Sequence, residues 1–104
     1  MTIKWVKLDP LVMNGEPFCF GSRLTVRQLL ELRRSGFTLT ALLKDHPELR
    51  VVGIAAAFTY AAEHRDRYRE FFDPDGSLLG PGYTPEEAAA LPGQYRIPGV
   101  VLNR

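Results

Sequence analysis

Thirteen residues from 14 to 26, NGEPFCFGSRLTV, constrain the fold of this chain more than any other stretch. Asn14-Gly15 is a signal for a tight hairpin turn, because both residue types tolerate positive φ. Pro17 has no backbone N–H and therefore excludes a central strand position. Two phenylalanines alternate with a cysteine just after it, as in a short strand. The stretch predicts a small hairpin, with arms at 11–13 and 16–20, that leads into a helix.

Three helices are predicted after this hairpin. Thr25 and Gln28 form a capping box that begins the first helix. Thr38 is a cap for the second helix, which Pro47 ends because the residue before a proline avoids the α region. The third helix is predicted over 51–71, and its charged second half, EHRDRYRE, is expected to project from the body of the protein.

The chain is predicted to divide at residue 72. Residues 1–72 would form a β ribbon followed by a helix-turn-helix domain. Residues 73–104 are too rich in proline and glycine for a core of their own. We expect them to form an arm with one short helix beginning at Thr84-Pro85. This arm would fold against the body, a sister subunit or a partner, and Val100 to Leu102 could form a strand edge.

Charge and composition are those of a globular domain rather than a membrane protein. Residues 1–72 hold 11 basic and 8 acidic side chains, and residues 73–104 hold 2 and 4. A mildly basic body with an acidic tail is compatible with a nucleic-acid surface and a separate partner segment. No apolar run approaches the roughly 20 residues that span a bilayer. The N-terminus lacks a signal-peptide pattern, so a cytoplasmic protein is expected.

The residues for catalysis are missing from the sequence. Its histidines, His46 and His64, are predicted on different helices and belong to no ligand-spaced cluster. Cys19 lies in an apolar strand, where a small buried side chain is its expected role. No glycine-rich phosphate loop and no nucleophile elbow occurs. We expect no enzyme activity, no metal, no cofactor and no small-molecule substrate.

DNA binding is the first functional hypothesis, because helices two and three have the outline of a helix-turn-helix unit. Near the start of helix three, Arg50 and Thr59 are the side chains able to hydrogen-bond a base edge. Phosphates would be held by arginines outside the apolar stripe of the first helix. These are Arg23, Arg27, Arg33 and Arg34. The same arginines would equally form a solvated face with no function.

Partner binding is the second hypothesis. Aromatic residues at the end of a projecting helix, followed by an arm, would expose apolar surface unless another protein covered them. A homodimer or a partner complex is therefore expected. The predicted contact residues are Tyr68, Phe71, Phe72, Tyr83, Tyr95, Val100 and Leu102.

The chain resembles a small bacterial family known as domain of unknown function 433, or DUF433. The resemblance rests on the segment Gly21-Ser22-Arg23, on Asp45-x-Pro47-x-Leu49, and on the alanine-rich helix that follows. It implies a homeodomain-like three-helix fold with a β ribbon ahead of it. It also implies an antitoxin that binds its own promoter and masks a PIN-like ribonuclease. Arg50 and Gly53 stand where the family usually has a helix cap and an acidic residue.

The predicted fold is therefore mostly α, with a homeodomain-like trihelical helix-turn-helix core, a short N-terminal β ribbon and a C-terminal arm. The predicted function is that of the antitoxin in a bacterial toxin–antitoxin pair. The alternative is a protein-interaction or dimerisation module that does not bind DNA.

Overall fold

A computed structural model of the chain describes residues 5–11 and 15–101. In these residues the protein is mostly helical, with four α-helices and one two-stranded antiparallel sheet. This confirms the predicted fold class at that level, and the homeodomain-like arrangement remains a prediction. None of the helices in the described residues has the length and apolar character needed to cross a membrane.

The strand predicted over 16–20 forms as part of the N-terminal ribbon, but its partner differs from the predicted one. Strand β1 (Val6–Lys7) pairs with strand β2 (Phe18–Cys19), with Val6 opposite Cys19. The predicted arm at 11–13 is therefore wrong as the partner of β2, and residues 12–14, with Asn14 of the predicted turn, lie outside the described part. Burial explains the register, because the Cys19 side chain is only 1% exposed. Its role as a small buried residue is confirmed.

Helix α1 (Val26–Arg34) begins as the sequence predicts. The Gln28 backbone N–H donates to the Thr25 hydroxyl oxygen at 3.0 Å, and the Thr25 N–H donates to the Gln28 side-chain oxygen at 2.9 Å. The Val26 N–H also donates to the Pro17 carbonyl at 2.9 Å. The predicted capping box is therefore confirmed, and the bond to Pro17 also joins the ribbon to the first turn of the helix.

Helix α2 (Leu39–Asp45) and helix α3 (Arg50–Glu63) are joined by a short 3₁₀ turn, Pro47–Leu49. The Thr38 cap is confirmed, since its hydroxyl accepts from the Ala41 N–H at 3.2 Å. Helix α3 is the centre of the molecule and contacts the ribbon, α1, α2 and a 3₁₀ turn near the C-terminus. Its buried residues are Gly53, Ile54, Ala55, Ala56, Ala57, Phe58 and Ala61.

Helix α3 ends at Glu63, eight residues earlier than predicted. The chain then turns and enters a 3₁₀ helix, Arg69–Phe71, that packs against α1. Tyr68 and Phe71 are buried by this turn. The predicted projecting helix is therefore wrong, because burying two large aromatics stabilises the fold by several kcal/mol, more than a few additional helical residues would.

Residues 73–101 fold back onto the body of the same chain. Helix α4 (Pro85–Ala89) begins with the predicted Thr84 cap, and Glu87 completes a capping box. Residues 98–101 form a turn in which Val100 and Val101 are fully buried. The predicted strand edge is therefore wrong in its described residues, and Leu102 lies outside them.

The contact between Gly80 and α1 gives a test of this folded-back segment. A Cβ at Gly80 would overlap the carbonyl oxygen of Arg33 and lie 2.6 Å from its carbonyl carbon, whereas one at Gly36 would meet no described atom within 4 Å. Both glycines have positive φ, 97° and 108°. We expect Gly80→Ala to lower the free energy of unfolding by about 1–3 kcal/mol more than Gly36→Ala in urea titrations. Equal losses would contradict the packing of residues 73–101 on α1.

Candidate functional site

Arg33, near the end of α1, is buried in the core with only 1% of its surface exposed. The expectation that it lies outside the apolar stripe is wrong. Its Nη1 donates to the carbonyl of Val100, and its guanidinium lies 4.7 Å from the centre of the Phe58 ring. Its Nε has no hydrogen-bond partner among the described residues. Arg33 is therefore unavailable to DNA in this structure and instead joins α1, α3 and the C-terminal turn.

Burial also changes how this part of the core titrates. Loss of solvation lowers the pKa of the Arg33 guanidinium to about 10, and the nearby Tyr83 opposes this shift. The side chain therefore stays charged at neutral pH. Burial raises the pKa of the Tyr83 phenol well above its usual range. A carbonyl oxygen, an aromatic face and a nearby neutral phenol thus surround this buried cation.

Arg27, a predicted phosphate ligand, lies in a network of charged groups on one side of α1. Its Nη1 donates to the Glu70 carboxylate, and its Nη2 donates to the Arg67 carbonyl at 2.9 Å. Its Nε lies 3.7 Å from the carboxylate of Glu16, which also accepts a 2.9 Å bond from Arg67. Arg27 therefore connects α1 to the segment before the ribbon strand β2 and to the turn after α3.

Two of the arginines predicted for DNA contact aromatic residues predicted for a partner. The Arg27 guanidinium lies 5.1 Å from the centre of the Tyr68 ring, and that of Arg34 lies 4.7 Å from the centre of Phe71. At these distances a cation is attracted to the face of an aromatic ring. Arg65 lies 4.6 Å from the half-buried Phe72 in the same way. The aromatic side chains predicted to contact a partner at this point of the chain are thus covered by arginines of the same chain.

The other predicted partner residues differ in how deeply they are buried. Tyr83 and Val100 are buried within the chain's own core, as are Tyr68 and Phe71. The prediction that these four side chains form an open partner surface is wrong, because residues 73–101 cover the body of the same chain. Tyr95 is half-buried at the end of a 3₁₀ turn, Gly93–Tyr95.

Arg23 and Arg50 are the predicted DNA residues that the fold leaves accessible. Both are exposed, and neither side chain makes a hydrogen bond, ion pair or ring contact with the described residues. Arg50 also has φ 61° and ψ 162°, the only positive φ outside glycine in the described chain. This backbone region is essentially restricted to glycine and costs about 1–3 kcal/mol for other residues.

Thr59 and the middle of α3 offer few polar groups to a ligand. The indole of Trp5 packs over Gly53, where an added Cβ would lie 3.3 Å from Trp5 Cε3. The Thr59 hydroxyl oxygen is buried and has no hydrogen-bond partner among the described residues. Beyond its first turn, α3 therefore presents little surface that could enter a DNA groove.

Two surface features around Trp5 were missed by reasoning from the sequence. The exposed large hydrophobic residues of the described chain all lie in the N-terminal segment: Leu8 at 61%, Leu11 at 94% and Phe20 at 42%. We call these three the ribbon surface. A cleft of about 260 Å³ lies on the other side of Trp5, between α3 and the Gly93–Tyr95 turn.

The fold and these surfaces define a small helical protein with a ribbon and no metal cluster in the part that the structure describes. Comparison with family models gives one match, the family described as protein of unknown function DUF433, over residues 6–61. The match covers more than half of the chain, which therefore belongs to the DUF433 family. No curated protein and no solved structure matched the chain in the same comparisons.

Tyr68 provides a test of the aromatic–arginine packing. Burial raises the pKa of its phenol to about 12, and its hydroxyl has no hydrogen-bond partner among the described residues. Between pH 10 and 12 the unfolded chain loses this proton while the folded chain keeps it, so folding stability falls with rising pH. Tyr68→Phe should reduce that fall by up to about 1.4 kcal/mol per pH unit.

At pH 7 the same variant should be as stable as the wild type or more so, because an unpaired buried hydroxyl is removed. Urea titrations at neutral pH and at a series of values between pH 9 and 12 measure both effects. An unchanged alkaline slope, or a clear loss of stability at pH 7, would contradict the buried and unpaired position of this phenol.

Proposed function

We propose that this protein is an antitoxin-type regulator that holds DNA through Arg50 and Arg23 and pairs with a PIN-like ribonuclease. The observation that carries the DNA contact is Arg50, an exposed arginine without a partner among the described residues and held in a glycine-like backbone conformation. Strained residues of this kind occur preferentially at functional sites. The nuclease partner comes from the resemblance to antitoxins.

The position of Arg50 favours an anionic ligand. It begins α3, a helix of 14 residues that has no side-chain hydrogen bond capping its start. The N-terminus of a helix carries partial positive charge and N–H groups that suit a phosphate. The guanidinium of Arg50 adds a full positive charge with a fork of donors that matches phosphate geometry. A DNA phosphate at this position would cap the start of α3.

The same geometry limits what the protein can recognise. Trp5 covers Gly53 and the Thr59 hydroxyl is buried, so the middle of α3 has no free polar group for bases. Contacts would be made mainly to phosphates, which position a protein on DNA without specifying sequence. Arg50 alone would supply base preference, through guanine. This is a narrower role than a recognition helix with several base contacts.

Arg50→Gly separates this function from stability. Glycine relieves the strain of about 1–3 kcal/mol at an extra chain-entropy cost of about 0.5–1 kcal/mol, so the variant should be about 1 kcal/mol more stable. It should nevertheless bind the DNA upstream of its own gene at least about fivefold more weakly, with a shallower dependence on salt. Mobility-shift titrations at two salt concentrations and urea titrations provide the two measurements.

Arg69→Ala is the matched control, because Arg69 is exposed and has only a 3.6 Å surface ion pair with Asp66. It should leave DNA affinity close to that of the wild type. If Arg50→Gly keeps full affinity, or if the wild type shifts no DNA at low salt, the DNA-binding role is wrong.

A second candidate function is dimerisation without DNA binding. It is favoured by the ribbon surface of Leu8, Leu11 and Phe20, which gathers the exposed large hydrophobic residues of the described chain in one segment. Strand β1 pairs only with β2 among the described residues, so its outer edge is open. Open edges and exposed apolar side chains together favour pairing with the same ribbon of a second copy.

Leu11→Glu tests this candidate without disturbing the core, since Leu11 is almost fully exposed. Light scattering after size-exclusion chromatography should give twice the chain mass of 11.7 kDa for the wild type and the single mass for the variant. Ala90→Glu, on the exposed end of α4, should remain dimeric. A monomeric wild type, or a dimeric Leu11→Glu protein, would exclude the ribbon as the dimer contact.

A further inference from the structure

The cleft between α3 and the Gly93–Tyr95 turn has three aromatic walls and an acidic rim. Its aromatic residues are Trp5, Tyr60 and Tyr95, and its rim carries the carboxylate of Glu63. The three rings come from the N-terminal segment, from α3 and from the C-terminal turn. Residues distant in the sequence are thus brought together on one surface, which no local pattern indicates.

The aromatic walls are fixed by contacts outside the cleft. Trp5 packs over Gly53 and meets the Phe20 ring edge to face, with 5.9 Å between the ring centres. Tyr60 stacks on His64 with 4.1 Å between the ring centres. The Tyr95 N–H donates to the Pro92 carbonyl at 2.9 Å. Two of the three rings, those of Trp5 and Tyr60, are therefore held by other side chains before a ligand binds, which lowers the cost of binding.

The electrostatics of the cleft favour a cation. Glu63 is exposed, and its carboxylate makes no hydrogen bond or ion pair with the described residues. It is the last residue of α3, where the helix dipole adds partial negative charge. Neighbouring cations are engaged elsewhere, since Arg65 donates to the Gly76 carbonyl and Arg67 to Glu16. Aromatic faces attract cations as well.

We propose that this cleft binds the guanidinium group of an arginine side chain from a partner protein. A planar guanidinium can stack on an aromatic ring while it donates hydrogen bonds to a carboxylate. The volume of about 260 Å³ is below the roughly 300–1,000 Å³ of drug-sized ligand sites and suits one side chain. The site is separate from the DNA contact, because its α3 residues lie between Ala56 and Glu63 and Arg50 is the first residue of the helix.

A direct test uses a single arginine and its neutral counterpart. Trp5 is the only tryptophan of the sequence, so its fluorescence reports on this cleft. Titration of the full chain with Nα-acetyl-arginine amide should give a saturable change in Trp5 emission. Nα-acetyl-citrulline amide has nearly the same shape without the charge. It should bind more weakly by at least about tenfold. The lysine analogue should fall between the two.

Glu63→Gln should weaken arginine binding by about tenfold, because a charged hydrogen-bond acceptor becomes neutral. Glu86→Gln is the control, since Glu86 is an exposed helical glutamate of α4 that does not line the cleft. It should bind as the wild type does. The proposal is overturned if citrulline binds as well as arginine, if both variants bind alike, or if no saturable change occurs. The comparison of arginine with citrulline, and of the two variants, is a different measurement from the DNA titrations and from the determination of mass.

Discussion

The burial of Arg33 is the interaction on which the arrangement of this protein most depends. A buried cation without a carboxylate is costly unless several groups compensate for it. Here the Val100 carbonyl accepts from it and the Phe58 ring lies against it. Those groups come from the C-terminal turn and from α3, so the C-terminal segment has to fold back for Nη1 of Arg33 to reach its hydrogen-bond acceptor. The backbone of Arg33 also leaves room only for glycine at position 80.

A related principle explains the surface around α1. Arginine is weakly hydrated and planar, and it can cover an aromatic ring while keeping some donors in water. Arg27, Arg34 and Arg65 do this for Tyr68, Phe71 and Phe72. From the sequence, arginines were assigned to DNA and aromatic residues to a partner. In the structure, Arg27 and Arg34 instead contact Tyr68 and Phe71. The arginines left over, Arg23 and Arg50, therefore carry more weight as candidates for DNA contact.

The features that the sequence predicted correctly are determined by residues close together in the chain. The capping box at Thr25 and the helix start at Thr84-Pro85 involve residues no more than three apart, so their patterns determine them almost completely. The length of α3 and the partner of β2 depend instead on contacts between residues far apart in the chain. The helical spacing of apolar residues continues to Tyr68, yet packing against α1 ends the helix at Glu63. The cleft was beyond prediction for the same reason, because its walls come from three separate segments.

The packing of Trp5 on α3 helps to determine where on this helix the two proposed ligands can bind. A helix of 14 residues is about 21 Å long, and here its middle is enclosed by the ribbon, α1 and the C-terminal turn. Ligands are left with the start of the helix and with the face of its second half that lines the cleft, from Ala56 to Glu63. The first end combines Arg50 with the positive end of the helix dipole, and the last combines Glu63 with the negative end. An anion is favoured at one end and a cation at the other. DNA and a cationic protein side chain therefore need not compete, and one molecule of this protein could hold both at once.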